Sequence, residues 1–232
     1  MVDNYQNFSR RLPDFNVILE TNESIERFQD TFPEVMLLFR QISVPALRSD
    51  LVRLMVLSES GGMWLDSNTI LLDPDGLREL FIKFRDFEFV IPLLKDSGFE
   101  MVTSALISKR RSKLALDTLR AVVLNLTKHY WTEKKSTEFI PYDFYYWVAP
   151  FVWREILGYK FTEDFKSHVA EIFRNDVTAL TLDIAEFSSY QVALSTDFEK
   201  VVRFYGCNMD HHHNGNFHKH WSEVQKIQRL FY

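Results

Sequence analysis

The stretch that most constrains this chain is Arg48-Ser-Asp-Leu-Val-Arg-Leu-Met-Val-Leu-Ser-Glu-Ser-Gly-Gly-Met-Trp-Leu-Asp-Ser-Asn-Thr69. Pro45 opens a helix ahead of it, since a first-turn N–H needs no helical partner. Leu47, Leu51, Leu54, Met55 and Ser58 then line one side at helical spacing. Gly61-Gly62 stops the helix, because glycine takes the left-handed conformation without a Cβ clash. Met63-Trp64-Leu65 is a short apolar run, read as a buried central strand. It delivers Asp66 and Asn68, two residues apart and so on one side. At the carboxyl end of a parallel strand they stand where open α/β sheets bind ligands. A carboxylate and an amide carbonyl offer oxygen ligands to a hard divalent ion carrying a phosphorylated substrate. On the preceding helix, Asp50 and Arg53 lie at i, i+3 and are neighbours.

The surrounding pattern alternates. Residues 1–14 read as a polar lead-in segment. Phe15–Glu20 reads as a strand by its β-branched content, Glu23–Phe32 as a helix, and Pro33–Phe39 as another. Thr69–Leu72, Phe87–Ile91, Ser104–Ser108, Val177–Leu182 and Val201–Tyr205 read as strands. Asp73-Pro-Asp-Gly76 reads as a turn and Leu77–Phe84 as a helix. Ser112 caps a long helix to about Tyr130. Helices are also expected from Pro150 to Leu157, over Thr162–Phe173, and over Trp221–Leu230. The expected fold is α/β, with a mostly parallel central sheet flanked by helices, in a single domain over residues 1–232.

Composition excludes several classes. A net charge of −5 gives no general electrostatic case for nucleic acid. The short basic run Lys109-Arg110-Arg111 reads as a solvated patch. One cysteine, Cys207, rules out an internal disulfide. No apolar run nears the roughly 18 residues of a membrane span. No signal-peptide pattern is visible at the start, so the expectation is a cytoplasmic protein with no transmembrane segment.

Residues 45–72 resemble the core of the GT-A glycosyltransferases that carry a DXD motif. In particular they resemble the DXD-containing sugar-binding-region family and the capsular polysaccharide synthesis proteins. That pattern is Ser-Asp-x-x-Arg on a helix, then Gly-Gly-aromatic-aliphatic-Asp-x-Asp. Here it stands as Ser49-Asp50-Leu-Val-Arg53, then Gly61-Gly62-Met63-Trp64-Leu65-Asp66-Ser67-Asn68. Asn68 departs from the second aspartate, keeping a carbonyl ligand but no charge. The family's first strand, which helps hold the nucleotide base, has no clear counterpart before Phe15, so base identity is unreadable.

The resemblance implies a GT-A-like, Rossmann-type fold. It also implies a metal-dependent glycosyltransferase that moves a sugar from a nucleotide sugar donor to a glycan acceptor, mostly with retention. Asp66 would bind Mn²⁺ or Mg²⁺, with Asn68 as a second ligand. Asp50 and Arg53 would act catalytically with Asp66 and hydrogen-bond the donor sugar. Ser49 and Gly62 belong to the same donor-binding stretch. His218-Lys219-His220-Trp221-Ser222 resembles the family's ending, which implies His218 or His220 as a metal contact and Lys219 as a diphosphate contact. Tyr145-Tyr146-Trp147-Val148-Ala149-Pro150 stands where the family has a Gly-Pro beside the sugars. Trp147 would stack on a sugar face, although core packing explains these aromatics equally well. Asp143 and Glu138 are the nearby carboxylates that an inverting enzyme could use as a base.

Two other classes compete. One is a non-catalytic protein of GT-A shape that binds nucleotide sugars or glycans, favoured by Asn68. The other is a metal-dependent hydrolase built on His211, His212, His213, His218 and His220.

Overall fold

Local signals set the helices where the sequence punctuates them. The computed structural model describes residues 2–94, 100–142, 147–148, 152–153, 156, 182–183, 190–204 and 229–232. Helix α1 (Val2–Arg11) carries Asp3 in its first turn and Arg10 and Arg11 in its last, each complementing the helix dipole. Phe8 and Leu12, one turn apart, are buried in the core. The lead-in segment is therefore a docked helix.

Residues 15–20 are irregular chain rather than the expected strand. Phe15 and Val17 pack on the core from that irregular path, and Glu20 accepts hydrogen bonds from Ser24 and Arg27. β-branched content favours a strand only where a partner strand lies alongside. Helix α2 (Asn22–Ile25) starts at Thr21 in a capping box and passes into a 3₁₀ turn over Glu26–Gln29. Helices α3 (Pro33–Gln41) and α4 (Pro45–Glu59) each place proline in the first turn, as expected.

Strands β1 (Gly62–Leu65) and β2 (Ile70–Leu71) follow. Asp73 is not part of a free turn: it caps helix α5 (Pro74–Lys83), its side chain accepting from the Asp75 N–H. Then come β3 (Phe89–Leu94), β4 (Glu100–Met101), β5 (Ala105–Ser108) and helix α6 (Lys113–Lys134), capped by Ser112. The remaining described elements are β6 (Leu182–Asp183), β7 (Val192–Ser195), α7 (Phe198–Val201) and β8 (Val202–Arg203). The helices expected over Thr162–Phe173 and Trp221–Leu230 lie outside the described residues, apart from Arg229 and Leu230. Leu230 lies in a bend beside the bridge between Phe231 and Ile42.

The main sheet runs β1-β5-β3-β7-β6, with β4 on β3. It is mixed. Only β3–β7 is parallel among the described pairings; β1–β5, β3–β5, β3–β4 and β6–β7 are antiparallel. The expectation of a mostly parallel sheet does not hold for these strands. In particular β1 runs antiparallel to β5, with Gly62 opposite Ser108 and Leu65 opposite Ala105. It stands at the end of the strand order, so Met63, Trp64 and Leu65 are half-buried rather than enclosed. β2 pairs separately with β8.

Helix α4 packs on α3 and α6 on one side and on β1 and β5 on the other. Leu47, Leu51, Leu54, Met55 and Leu57 are fully buried, and burial extends well around the helix. Trp64 bridges the helical cluster and the cluster beneath the sheet. The C-terminal residues close the helical side: the buried Glu133 carboxylate accepts from the N–H groups of Leu230 and Phe231, both at 3.1 Å.

The turn from α4 into β1 depends on glycine at both positions. Gly61 has φ +68° and Gly62 φ +92°. A Cβ on Gly61 would lie 2.4 Å from the backbone nitrogen of Arg110. Substitution Gly61→Ala should therefore destabilise the fold by about 2–4 kcal/mol, from positive-φ strain and displacement of the Arg110 backbone. Gly62→Ala, which meets nothing within 4 Å, should lose only the positive-φ part, about 1 kcal/mol. Denaturant melts of the two variants measure the difference.

Candidate functional site

The site forms where α4 passes the exit of β1. Arg53 points from the third turn of the helix to the strand end. Its Nη2 donates to Asp66 Oδ1 at 2.9 Å and lies 3.5 Å from Ser49 Oγ. Its Nη1 sits 2.9 Å from Asp50 Oδ1. The indole N–H of Trp64 donates to the same Asp66 oxygen at 2.8 Å, and the guanidinium carbon lies 5.8 Å from the Trp64 ring centroid. The Asp66 backbone N–H continues the β1–β5 ladder to the Ser104 carbonyl at 2.8 Å. Thr69 N–H returns to the Asp66 carbonyl at 2.9 Å, so Ser67 and Asn68 form a tight exposed turn.

Burial makes this cluster unusual. Asp50 is 7% exposed and Arg53 3% exposed, whereas side chains of these types are almost never enclosed unless paired. The Arg53–Asp50 approach is short but misaligned: Nη1 and Nε of Arg53 are both buried without a hydrogen-bond partner. Asp50 is pushed up to about 6. Burial is the main cause; Arg53 pulls it down, and the Asp66 carboxylate pushes it up again.

Of the residues singled out in the sequence, Ser49, Asp50, Arg53 and Asp66 are brought together, and Asn68 lies in the turn directly after Asp66. Gly62 is not among them. It begins β1 at the far end, about 13 Å along the strand from Asp66 at ~3.3 Å per residue, and its role is the positive φ described above. Trp147 packs in the helical core cluster, with its ring 4.7 Å from that of His129 and 6.1 Å from that of Tyr142. Burial holds His129 below its ordinary pKa. Glu138 is exposed on the surface. His211, His212, His213, His218, Lys219, His220, Asp143, Tyr145, Tyr146, Ala149 and Pro150 lie outside the described residues.

Helix α1 supplies residues that the sequence reading missed. Asn4 Nδ2 donates to the carbonyls of Ser67 at 2.8 Å and Thr69 at 2.6 Å, on either side of Asn68. Arg11 donates to the carbonyls of Leu71 at 2.6 Å and Leu72 at 3.0 Å. The segment leaving Asp66 is thus held from more than sixty positions away. The Phe8–Leu12 spacing and the acid-first, base-last charge order were the available signals for this helix.

The residues present fit a divalent cation in part. Asp66 Oδ1 is taken by Arg53 and Trp64, while Oδ2 accepts no hydrogen bond among the described residues and the side chain is 27% exposed. Among the described residues no group of three or more His, Cys, Asp or Glu side chains gathers as a metal cage. Such an ion would need water or a substrate phosphate to complete its shell.

Comparison with known families decides the lineage. Residues 2–179 match the model of the capsular polysaccharide synthesis proteins. The chain belongs to that family. No curated protein and no solved structure matches it. Membership places this family member in polysaccharide biosynthesis, and the matched span includes α1, α4, β1 and the Asp66 turn. No helix among the described residues is long and apolar enough to cross a membrane.

Two outcomes test this geometry. Replacing Arg53 by Met leaves Asp50 buried without its cation and should lower stability by about 3–5 kcal/mol in denaturant melts, whereas Asp50→Asn/Arg53→Met together should recover part of that loss. The second outcome concerns pH. Asp50 binds a proton more tightly folded than unfolded, so its charge is a penalty to the fold that grows as pH rises from the ordinary Asp value through about 6. The stability of the unmutated protein minus that of Asp50→Asn should fall by about 2 kcal/mol between pH ~4 and pH ~7.

Proposed function

We propose that this capsular polysaccharide synthesis protein is a glycosyltransferase that moves a sugar from a nucleoside diphosphate donor to a glycan hydroxyl. The observation that carries this reading is the buried Asp50–Arg53–Asp66 linkage, with two guanidinium nitrogens left without hydrogen bonds. A buried donor without a partner is expensive in water-excluded surroundings. Adjacent sugar hydroxyls accept from such donors, and they can donate in turn to Asp50 or Ser49. The residues therefore suit a polyol beside a phosphate-bearing group, rather than a phosphate alone.

In this proposal Arg53 holds Asp66 in one rotamer through Oδ1, and Trp64 fixes the same oxygen. Oδ2 is left to face the turn. Asp66 and the Asn68 carbonyl would hold Mn²⁺ or Mg²⁺. When bound, that ion supplies neutralisation of the charge developing on the diphosphate leaving group. Asp50 and Arg53 orient the donor sugar, and the half-buried Trp64 limits water beside it. An acceptor hydroxyl attacks the anomeric carbon on the face from which the diphosphate departs. The new C–O bond forms as the bond to the diphosphate breaks, and the hydroxyl proton passes to the departing diphosphate oxygen. Retention of configuration follows from the resemblance that residues 49–68 carry.

A second reading is a non-catalytic protein that binds nucleotide sugars or glycans. The neutral amide of Asn68 favours it, because it halves the carboxylate charge at the turn. One assay separates the two. Release of nucleoside diphosphate from a panel of nucleotide sugars, with Mn²⁺, should fall at least about 10²-fold in Asp66→Ala, the size expected for loss of one leaving-group stabiliser. It should also fall on chelation with EDTA and return on adding Mn²⁺. Donor binding by calorimetry without turnover on any donor would establish the second reading instead.

A further inference from the structure

Beside the Asp66 turn lies an open groove of about 430 Å³, lined by Asp3, Asn4, Asn7, Ser67, Asn68 and Ile70. Its size is within the range of small-ligand sites. One wall is a single face of α1, since Asp3, Asn4 and Asn7 fall at i, i+1 and i+4. The other wall is the turn that leaves Asp66. The two walls are tied by Asn4, whose amide nitrogen is fully used on the Ser67 and Thr69 carbonyls. The groove is therefore held at fixed width by the contact that fixes the turn.

The lining selects a ligand class. It contains one carboxylate and no cation; on α1, Arg11 is engaged by the Leu71 and Leu72 carbonyls, and the exposed Arg10 is not part of the lining. A phosphate or other anion would meet Asp3 with no cation in the lining to balance it. A cation would find a single exposed carboxylate, which by itself holds one weakly. The Asn7 amide and the Asp3 carboxylate match a neutral polyol, to whose adjacent hydroxyls the amide donates and accepts while the carboxylate accepts. Asn7 makes no side-chain hydrogen bond among the described residues, so its full donor and acceptor capacity faces the groove. Ile70, 37% exposed, offers an apolar floor for the C–H face of a pyranose.

We infer that this groove is the acceptor subsite, taking a terminal sugar residue of a glycan between Asn7 of α1 and the Asn68 turn. The inference rests on the glycosyltransferase reading for the word acceptor, but the binding of a neutral saccharide does not. Asn68 is the shared wall: one side faces the groove and its backbone follows Asp66. A saccharide seated there is within the same turn as the group that holds the donor diphosphate. This assigns acceptor recognition to the first ten residues rather than to the aromatic stretch around Trp147, whose described contacts are with His129 and Tyr142.

Saturation-transfer NMR on the full chain tests it, with methyl α-mannoside, methyl β-glucoside and methyl β-galactoside as probes. Two variants are compared, Asn7→Ala and Asn7→Trp. Alanine removes the amide from a helix position that tolerates it well, and tryptophan fills the groove. At least one probe should receive saturation from the unmutated protein. The signal should drop roughly five- to tenfold in Asn7→Ala, as for loss of one or two hydrogen bonds, and vanish in Asn7→Trp. Thermal melts of both variants should match the unmutated protein, which separates loss of saccharide binding from loss of fold. No saturation of any probe, or equal saturation in Asn7→Trp, overturns the inference. The two proposals fail separately. Saccharide binding lost in Asn7→Trp, in a protein that never turns over a donor, removes the enzyme reading and keeps the groove. Asp66-dependent turnover with saccharide binding indifferent to Asn7 does the reverse.

Discussion

The arrangement depends on one buried cation between two carboxylates. Arg53 joins Asp50 on its own helix to Asp66 at the end of β1, so it fixes the strand exit relative to the helix axis. Enclosing these charges is unfavourable by itself, and the ion pairs recover only part of the desolvation. Burial raises Asp50, and two Arg53 nitrogens make no hydrogen bond, so the residual cost falls on Asp50 and Arg53. Polar groups held in that state are stabilised most by a ligand that completes them. The Gly61-Gly62 turn is coupled to the same link. Without positive φ at both glycines β1 would not run back beside β5, and Asp66 would not reach Arg53.

A second constraint comes from backbone accounting. The segment from Ser67 to Leu72 contains only the two-residue β2, and that strand's partner is equally short. Carbonyls in such a segment need donor partners from elsewhere. Asn4 and Arg11 meet four of them, at Ser67, Thr69, Leu71 and Leu72. Helix α1 in turn is held by the apolar contacts of Phe8 and Leu12. A short polar helix thus converts hydrophobic burial into order at a turn that has little secondary structure of its own.

What could be read in the sequence follows from how local each signal is. The α4–Gly61-Gly62–β1 unit was legible because helical spacing, a left-handed stop and an apolar run are all contained in about twenty residues. The grouping of Ser49, Asp50, Arg53 and Asp66 followed from the resemblance carried by that unit. Strand direction was not legible. The run Met63–Leu65 is equally compatible with a parallel centre and an antiparallel edge, and pairing with β5, some forty residues on, decided it. Phe15–Glu20 has strand composition, but no strand among the described residues comes alongside. Gly62 sits inside the motif but opens β1 at the end away from Asp66, where its positive φ gives it a backbone role. Asn4 and Arg11 were hidden because their partners are carbonyls, which leave no trace in residue type.

Charge counting at the turn links the site to its proposed chemistry. Asp50, Asp66 and Arg53 together carry about one net negative charge when both acids are ionised, and less as Asp50 takes up a proton. A second aspartate at position 68 would double that charge; Asn68 keeps it low. On the glycosyltransferase reading, a divalent ion held by Asp66 and Asn68 would be under-neutralised by the protein and would need charge from its ligand. A nucleoside diphosphate carries that charge, while a neutral sugar or water does not. On the glycosyltransferase reading, Asp66 and Asn68 would hold the ion weakly by themselves, and the donor diphosphate would supply the charge that Asn68 withholds, so the site's affinity for the ion would depend on the donor.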